Sequence, residues 1–135
     1  MQISKDIHKT LSNWFDSWGK DLKKGTSWTD LHLSRSMHLV TIGTDPDEWM
    51  QGVKAFGHMD REMRGTTRFQ FRPGEIQAFE EGSVGWAAAR PTIVFASGKL
   101  VPLRISAVFH REEGEWKMVH CHVSVGVPNE ELFKK

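Results

Sequence analysis

The sequence predicts an α+β domain, with helices in its N-terminal half and a run of antiparallel strands in its C-terminal half. Two observations support this fold class. Apolar residues recur at helical steps of three and four up to about residue 64, and from residue 66 they alternate with polar residues as in strands. The 135 residues have the size of one domain, so we expect a single domain over 1–135 with its helices layered on one sheet face.

The first predicted helix is long and amphipathic. Lysines at positions 20, 23 and 24 suit its last turn, and Gly25 is the expected stop. A cap signal at residues 27–30 then predicts a short helical turn that runs to about Leu33. The apolar stripe of the first helix consists of Ile3, Ile7, Leu11, Trp14, Phe15, Trp18 and Leu22.

Residues 37–44 form a short, β-branched segment that predicts a strand. A helix-start signal follows: Asp45 can cap, Pro46 suits the first helical position, and Glu48 can close a capping box back onto Asp45. We expect the third helix from about residue 53 to residue 64, with Gly65 as its stop. The side chains expected to face inward are Val53, Phe56, Met59 and Met63.

Strand signals dominate the rest of the chain. A short strand carries Phe69 and Phe71 before a Pro-Gly turn, and three longer strands are expected near residues 83–96, 100–111 and 115–127. Pro91 cannot donate a hydrogen bond to a neighbouring strand. We therefore expect an edge or a bulge at that position.

The last two strands are expected to form a hairpin through a three-residue loop, with Gly114 in the left-handed conformation. Counting back from the loop pairs Ser106 with His120 and Arg104 with His122. Because strand side chains alternate, one face should be mixed and the other should be apolar and hold the helices. The mixed face carries Arg104, Ser106, Trp116, His120, His122 and Ser124, and the apolar face carries Ile105, Ala107, Phe109, Val119, Cys121, Val123 and Val125.

Charge and cysteine content narrow the expected partners and location. The 18 Lys and Arg residues nearly balance the 17 Asp and Glu residues, so neither nucleic acid nor a membrane surface is an expected partner. Cys121 is the single cysteine, which excludes an intrachain disulfide. We see no apolar secretory segment at the N-terminus and no stretch near the roughly 18 apolar residues of a membrane span. We therefore expect a cytoplasmic protein.

Two segments carry a family resemblance. The sequence HREEGEW at 110–116, followed by VHCHVS at 119–124, resembles the C-terminal hairpin of SnoaL-like members of the nuclear transport factor 2-like (NTF2-like) superfamily. It is also similar to the association domain of calcium/calmodulin-dependent kinases. The sequence IGTDPDEW at 42–49 resembles the segment that leads into the third helix of the SnoaL-like group. The order of elements and the length agree with this family over nearly the whole chain.

The resemblance implies an NTF2-like cone, with about three N-terminal helices packed on a strongly curved, mostly antiparallel mixed sheet. It also implies a pocket between the first helix and the sheet, and a homodimer formed through the open sheet face. It implies no reaction, because this fold hosts isomerases, dehydratases, hydrolases, cyclases and non-catalytic modules. Ketosteroid isomerase has an aspartate base on the strand before the third helix. Residues 38–43 contain no carboxylate, which argues against that mechanism here.

Helix aromatics and methionines are the candidates for an apolar small-molecule pocket, with an arginine as polar anchor for an acidic group. The alternative is that these side chains only fill the core. The kinase resemblance implies pocket arginines on two strands, but Arg90 is shifted by about one residue and Ala107 stands at the other position. The candidate ligand-binding residues are Trp14, Trp18, Trp28, Trp49, Met59, Met63 and Arg90.

The sequence assigns no catalytic residue and predicts neither a cofactor nor a metal site. His120 and His122 have a spacing compatible with metal ligation, but no HExxH motif or cysteine pair supplies a third ligand. Cys121 lies on the predicted apolar face, where a buried thiol stays protonated and inert. Whether the chain is an enzyme is left open at this point.

Two functional hypotheses follow, beside a third alternative in which the chain is an orphan fold with a closed core. The first is a small-ligand protein, either a binder or an enzyme acting on a hydrophobic, carbonyl-bearing compound, with a cavity His or Asp for acid–base work. The second is a non-catalytic association module whose sheet faces stack. Both are expected as homodimers. The candidate dimer-interface residues are Arg104, Ser106, His120, His122 and Ser124.

Overall fold

A computed structural model of the chain describes residues 1–20, 25–65 and 68–135. Helices pack against a mostly antiparallel mixed sheet, so the predicted α+β fold class is confirmed. The described elements are, in chain order, β1 (Gln2–Ile3), α1 (Lys5–Ser17), α2 (Trp28–His32), β2 (Val40–Ile42), β3 (Trp49–Gln51), α3 (Gly52–Gly65), β4 (Phe69–Arg72), β5 (Ile76–Glu81), β6 (Val84–Ala89), β7 (Thr92–Phe95), β8 (Leu100–Pro102), β9 (Arg104–Glu112), β10 (Glu115–Ser124) and α4 (Asn129–Leu132).

The strands form a large and a small sheet. The large sheet has the order β1-β5-β6-β9-β10-β2-β3, with β10 and β2 parallel, and the small sheet has the order β4-β7-β8. Pro91, where an edge or a bulge is expected within one long strand, instead lies between two strands, where the chain leaves β6 in the large sheet and enters β7 in the small one. The chain returns at Leu103, whose N–H donates to the carbonyl of Pro91 at 2.9 Å. The two sheets are thus joined at this crossing.

Helix α1 is shorter than the sequence predicts. It begins after Ser4, whose hydroxyl accepts the N–H of Ile7 at 3.1 Å. It ends at Ser17 instead of near Gly25, because Gly19 takes a φ of 76° and donates its N–H to α3. Ile3 is exposed in β1 and is not part of the helical stripe. The predicted positions 22–24 lie outside the described residues.

Asp45, Pro46 and Glu48, which predict the start of a helix, instead lie in a turn between strands β2 and β3. The Asp45 N–H donates to the Glu48 carboxylate at 3.0 Å, and the Glu48 N–H donates to the Asp45 carbonyl at 2.9 Å. These are reciprocal contacts like those of a capping box, but Trp49–Gln51 then pairs with β2 as strand β3. Helix α3 therefore begins only at Gly52, which has a φ of 63°. Val53, predicted to face inward, is 87% exposed, whereas Met59 and Met63 are buried as expected.

The β9–β10 hairpin differs from the predicted register. Its loop has two residues, Glu113 and Gly114, both with positive φ as a type I′ turn requires. A β-bulge at Val119 then shifts the pairing, so that His120 lies opposite Val108. The buried face of the hairpin consequently includes Trp116, which was predicted to lie on the mixed face. The other buried hairpin residues are Ile105, Ala107, Phe109, Met118 and Cys121.

Two further features complete the fold. Strand β5 has no counterpart among the predicted strands; it pairs with β6 and with β1. Within the described ranges, no helix is both long and apolar enough to cross a membrane.

Candidate functional site

A cavity of about 270 Å³ lies beneath α1, between α3, the end of β2 and the small sheet. We call it the α1 cavity. Its wall is mostly apolar, and its polar groups come from β2, the β2–β3 turn, α3 and the residue before β4. The apolar lining includes Trp14, Trp18, Ile42, Met50, Met59, Phe69, Phe71, Ile93, Leu103, Cys121 and Val123, and the polar lining consists of Thr41, Thr44, Glu48, His58, Glu62 and Arg68.

Four aromatic rings make one wall of the α1 cavity. Trp14 lies on α1 and Trp18 directly follows the end of that helix at Ser17, with their ring centroids 5.9 Å apart. Phe69 and Phe71 project from β4, and the ring of Phe71 lies 5.4 Å from that of Trp18. The wall thus depends on packing between α1 and the small sheet, and it presents flat apolar surface to the cavity.

The indole N–H groups of Trp14 and Trp18 are buried and have no hydrogen-bond partner among the described residues. Trp28 provides the contrast, because its indole N–H donates to the carbonyl of Thr10 at 2.9 Å. A buried donor without an acceptor costs about 1–3 kcal/mol. The α1 cavity is therefore lined by two residues whose donors are left without an acceptor.

A carboxylate–imidazole pair lines the α1 cavity. The Oε2 atom of Glu48 is 3.3 Å from Nε2 of His58, and both side chains are about one-third exposed. The other carboxylate oxygen accepts the backbone N–H of Asp45. A Cβ at Gly43 would lie 2.7 Å from Oε2 of Glu48, so glycine makes room for this carboxylate. Gly43 also lines the cavity.

Cys121 closes the cavity from β10 and is 2% exposed. Burial raises the pKa of its thiol to about 12, against the smaller opposing effect of a hydrogen bond with the backbone of Ile42. The thiol is therefore protonated near neutral pH and serves as part of the wall, as the sequence predicts.

Of the seven candidate ligand-binding residues, three line the α1 cavity and four do not. Trp14, Trp18 and Met59 line the α1 cavity. Trp28 and Met63 are buried in the core but do not line it, Trp49 is 72% exposed on the edge strand β3, and Arg90 is exposed where the chain leaves β6. Arg90 and Trp49 thus lie outside the cavity.

The candidate interface residues do share one face of the β9–β10 hairpin. Arg104, Ser106 and His122 are exposed there, and His120 and Ser124 are half-buried. The predicted pairs are wrong: His122 lies opposite Ser106, and Arg104 lies opposite Ser124, to which its Nε donates at 3.3 Å.

Nδ1 of His120 lies 2.9 Å from the carbonyl of Val40 on β2, within hydrogen-bonding distance. In the part of the chain that the structure describes, no three His, Cys, Asp or Glu side chains are arranged to hold a metal ion. Among the described residues, His120 and His122 therefore have no third side chain that would complete a metal site with them.

Sequence reasoning missed Glu48 and His58 as site residues. Glu48 already had a local explanation as a helix cap, and His58 is one histidine among seven. A usable signal exists: position 58 lies one residue before Met59, which is predicted to face inward, so it borders the predicted inner face of α3.

Comparisons with known proteins agree with the fold. The sequence-family model of the SnoaL-like domain matches residues 27–128 of the chain. An NTF2-like protein of unknown function from Pseudomonas putida KT2440 is 14% identical, with 96% of this chain and 94% of that chain covered and a TM-score of 0.76. An uncharacterised Caulobacter vibrioides protein with a cystatin-like fold is 12% identical, with 96% and 93% covered and a TM-score of 0.67. The association domain of C. elegans CaMKII is 15% identical, with 90% and 94% covered and a TM-score of 0.62. No curated protein matches the chain.

Proposed function

The chain belongs to the SnoaL-like family, and we propose that it binds, in its α1 cavity, a small, flat and largely apolar molecule that carries a hydrogen-bond acceptor such as a carbonyl group. The cavity volume of about 270 Å³ and the aromatic wall support a ligand of one or two fused rings. Such a ligand would stack on the four rings and remove apolar surface from water, at about 25 cal/mol per Å².

The observation that carries this proposal is the pair of unpartnered indole donors of Trp14 and Trp18. Because neither indole nitrogen has accessible surface in the ligand-free protein, we expect binding to turn one of the two rings so that its N–H reaches an acceptor on the ligand. An exposed donor would exchange water for the ligand, but a buried and unpartnered donor has no such bond to lose. The acceptor should therefore add to affinity more than it would at an exposed site.

The test compares two ring compounds of nearly the same shape, the ketone 2-indanone and the hydrocarbon indane. Binding is followed by quenching of tryptophan fluorescence and by isothermal titration calorimetry. We expect the ketone to bind more tightly by about tenfold, which corresponds to about 1.4 kcal/mol. Equal affinities would contradict the role of the donors, and absence of saturable binding by either compound would contradict the proposed function.

Two variants locate the binding. Trp18→Phe should reduce the affinity for 2-indanone while leaving that for indane nearly unchanged, because it removes a donor and keeps an aromatic wall. Trp28→Phe is the matched control, since Trp28 already uses its donor on Thr10 outside the cavity. A loss of ketone affinity in Trp28→Phe as large as in Trp18→Phe would place the ligand elsewhere.

A second candidate function, association, is favoured by the exposed face of β9 and β10. We propose that a second copy of the chain covers the candidate interface residues on that face and forms a homodimer. Exposure of Arg104, Ser106 and His122 and similarity to association domains support this proposal.

Sedimentation velocity at micromolar concentration tests the dimer, and Ser106→Arg should dissociate it by placing added positive charge beside Arg104 on both copies. The control Lys54→Glu changes an exposed residue of α3. A wild-type monomer at these concentrations would refute the association.

A further inference from the structure

We propose that two copies of the chain bind one divalent transition-metal ion of the Zn²⁺ type between them, with His120 and His122 of each copy as its four ligands. This inference rests on the proposed homodimer and adds a metal site to it. The sequence predicts no metal site because it shows no third ligand beside the two histidines. A second copy on the same sheet face would supply the two ligands that one chain lacks.

The first support is the orientation of His120. Its Nδ1 atom lies 2.9 Å from the carbonyl oxygen of Val40 on β2. A carbonyl oxygen only accepts hydrogen bonds, so Nδ1 carries the proton and the lone pair of the neutral ring is on Nε2. Metal-binding histidines usually donate their other ring N–H to a carbonyl or a carboxylate in this way, which fixes the ring and its tautomer. His120 therefore already has the tautomer that a metal ligand requires.

The second support is the set of free ring nitrogens on the open sheet face. Hydrogen bonds within the described part of the chain leave Nε2 of His120 and both ring nitrogens of His122 without a partner. Cys121, between them, is buried and lines the α1 cavity, so the two histidines lie on the opposite face of the strand. Residues i and i+2 of a strand are about 6.6 Å apart, and two histidine side chains at that spacing can bring their nitrogens to the roughly 3.4 Å of a tetrahedral zinc site.

The third support is the central position of the pair in the large sheet. In the order of its seven strands, β9 and β10 are the fourth and fifth. In a homodimer with two-fold symmetry, the residues nearest the axis meet the same residues of the other copy. A face-to-face arrangement centred on these strands therefore brings the two histidine pairs together. Packed sheets lie about 10 Å apart, so an ion midway is about 5 Å from each backbone, a distance that a histidine side chain spans.

The surroundings of the pair select the class of ion. The residues paired with the two histidines on β9 and β2 carry no carboxylate; they are Ser106, Val108, Val40 and Ile42. Mg²⁺ and Ca²⁺ need oxygen ligands and are not expected here. Imidazole nitrogens suit Zn²⁺, Cu²⁺ and Ni²⁺, and four of them complete the tetrahedral coordination of Zn²⁺. Arg104 is a cation on the same face, and its Nε donates to Ser124, two residues beyond His122.

The experiment titrates ZnCl₂ into metal-free protein without a histidine tag, by isothermal titration calorimetry. We expect saturation at one ion for every two chains. His122→Gln should weaken zinc binding by more than about 100-fold, because it removes two of the four ligands and loss of an outer-shell partner alone costs about 10–100-fold. The matched control is His110→Gln, which changes an exposed histidine of β9 on the same face and should leave zinc affinity unchanged.

Sedimentation velocity tests the link between the ion and the homodimer. Zinc should lower the dissociation constant of the wild-type dimer by at least about tenfold relative to protein in EDTA, because an ion held by both copies stabilises only the dimer. His122→Gln should show no such difference. A purely structural role of the histidine would instead change thermal stability equally in EDTA and in zinc. Co²⁺ in place of zinc should give the intense visible absorption of tetrahedral coordination with the wild type and lose it with His122→Gln.

The outcomes separate the two proposals. If the wild type is a monomer both in EDTA and with zinc, the homodimer and this inference both fail. If it is a dimer in EDTA but binds no zinc, binds one ion per chain, or loses as much zinc affinity in His110→Gln as in His122→Gln, the shared metal site is wrong and the homodimer stands. A wild type that is monomeric in EDTA and dimeric with zinc would support the metal site and refute a homodimer that forms without metal.

Discussion

Replacing Trp14 or Trp28 by phenylalanine should have different consequences, although both side chains are buried. Trp14 is 1% exposed and its indole N–H has no partner among the described residues, whereas Trp28 is 3% exposed and donates to Thr10. Both changes remove the same atoms from a packed site, so their packing losses are similar. They differ in the hydrogen-bond donor that is removed, because the donor of Trp28 has an acceptor and that of Trp14 has none among the described residues.

The magnitude follows from the two donors. Trp28→Phe removes a made hydrogen bond, worth about 0.5–1.5 kcal/mol, while Trp14→Phe removes an unsatisfied buried donor that costs about 1–3 kcal/mol. Trp28→Phe should therefore lower the free energy of unfolding by about 1.5–4.5 kcal/mol more than Trp14→Phe does. At about 4 °C per kcal/mol for a domain of this size, its Tm should be lower by at least about 6 °C.

Urea unfolding followed by far-UV circular dichroism measures this difference without relying on tryptophan emission. Equal m values in the two variants would show that both unfold between comparable states. An equal or larger loss of stability in Trp14→Phe would refute the reasoning, because the donor of Trp14 would then contribute to stability in the ligand-free protein.

Three further predictions concern other parts of the fold. The pKa of the Cys121 thiol is raised from 9.0 to about 12. Iodoacetamide at pH 8 should therefore alkylate Cys121 about 10³-fold more slowly in the folded than in the urea-unfolded protein, which mass spectrometry can measure. Equal rates would mean that the thiol is not buried. The hydrogen bond from the Ser27 hydroxyl is the main cause of the lowered pKa of Asp30. Ionised Asp30 therefore stabilises the fold at pH values above its ordinary pKa of 3.8, and this stabilisation is lost as the pH falls through the lowered folded-state pKa. The difference in urea midpoint between the wild type and Asp30→Asn should then shrink from neutral pH to about pH 3, and a constant difference would contradict this. Ser4→Ala should cost about 1 kcal/mol in the same measurement because it removes the cap of α1, whereas Ser12→Ala within that helix should cost little.

The helices could be predicted from the sequence because their signal is local and repeated. The stripe through Ile7, Leu11 and Trp14 places α1, and Met59 and Met63 place the buried side of α3. The ends were less certain to predict because competing signals exist. Gly19 and Gly25 both suit a helix stop, and the choice of Gly19 depends on its hydrogen bond to α3, which only the folded chain supplies.

The bulge at Val119 had no local signal in the sequence. Strict alternation along β10 puts residues 116, 118, 120 and 122 on one face, but the inserted residue moves the buried positions from 116 and 118 to 121 and 123. Packing decides this outcome, since Trp116 and Cys121 are both buried only if the register shifts between them.

The candidate site was predicted in part. Trp14, Trp18 and Met59 belong to the predicted inner faces of helices and do line the α1 cavity. Glu48 and His58 are ten residues apart on a turn and a helix, and their contact depends on how β3 directs the chain into α3. A pattern that repeats along one element cannot report a contact between two elements, which is why this pair emerged only from the structure.

The crossing of the chain at Pro91 and Leu103 has a consequence for the size of the proposed ligand. The small sheet supplies Phe69, Phe71 and Ile93 to the cavity wall but shares no strand with the large sheet, which holds most of the buried core. Substitutions at the crossing can tilt this wall as a unit while the hydrogen bonds within each sheet stay intact. For the proposed ligand site, the width of the cavity and the stability of the large sheet would therefore depend on different residues, and changes at the crossing, where Leu103 itself lines the cavity, would alter the width of molecule accepted.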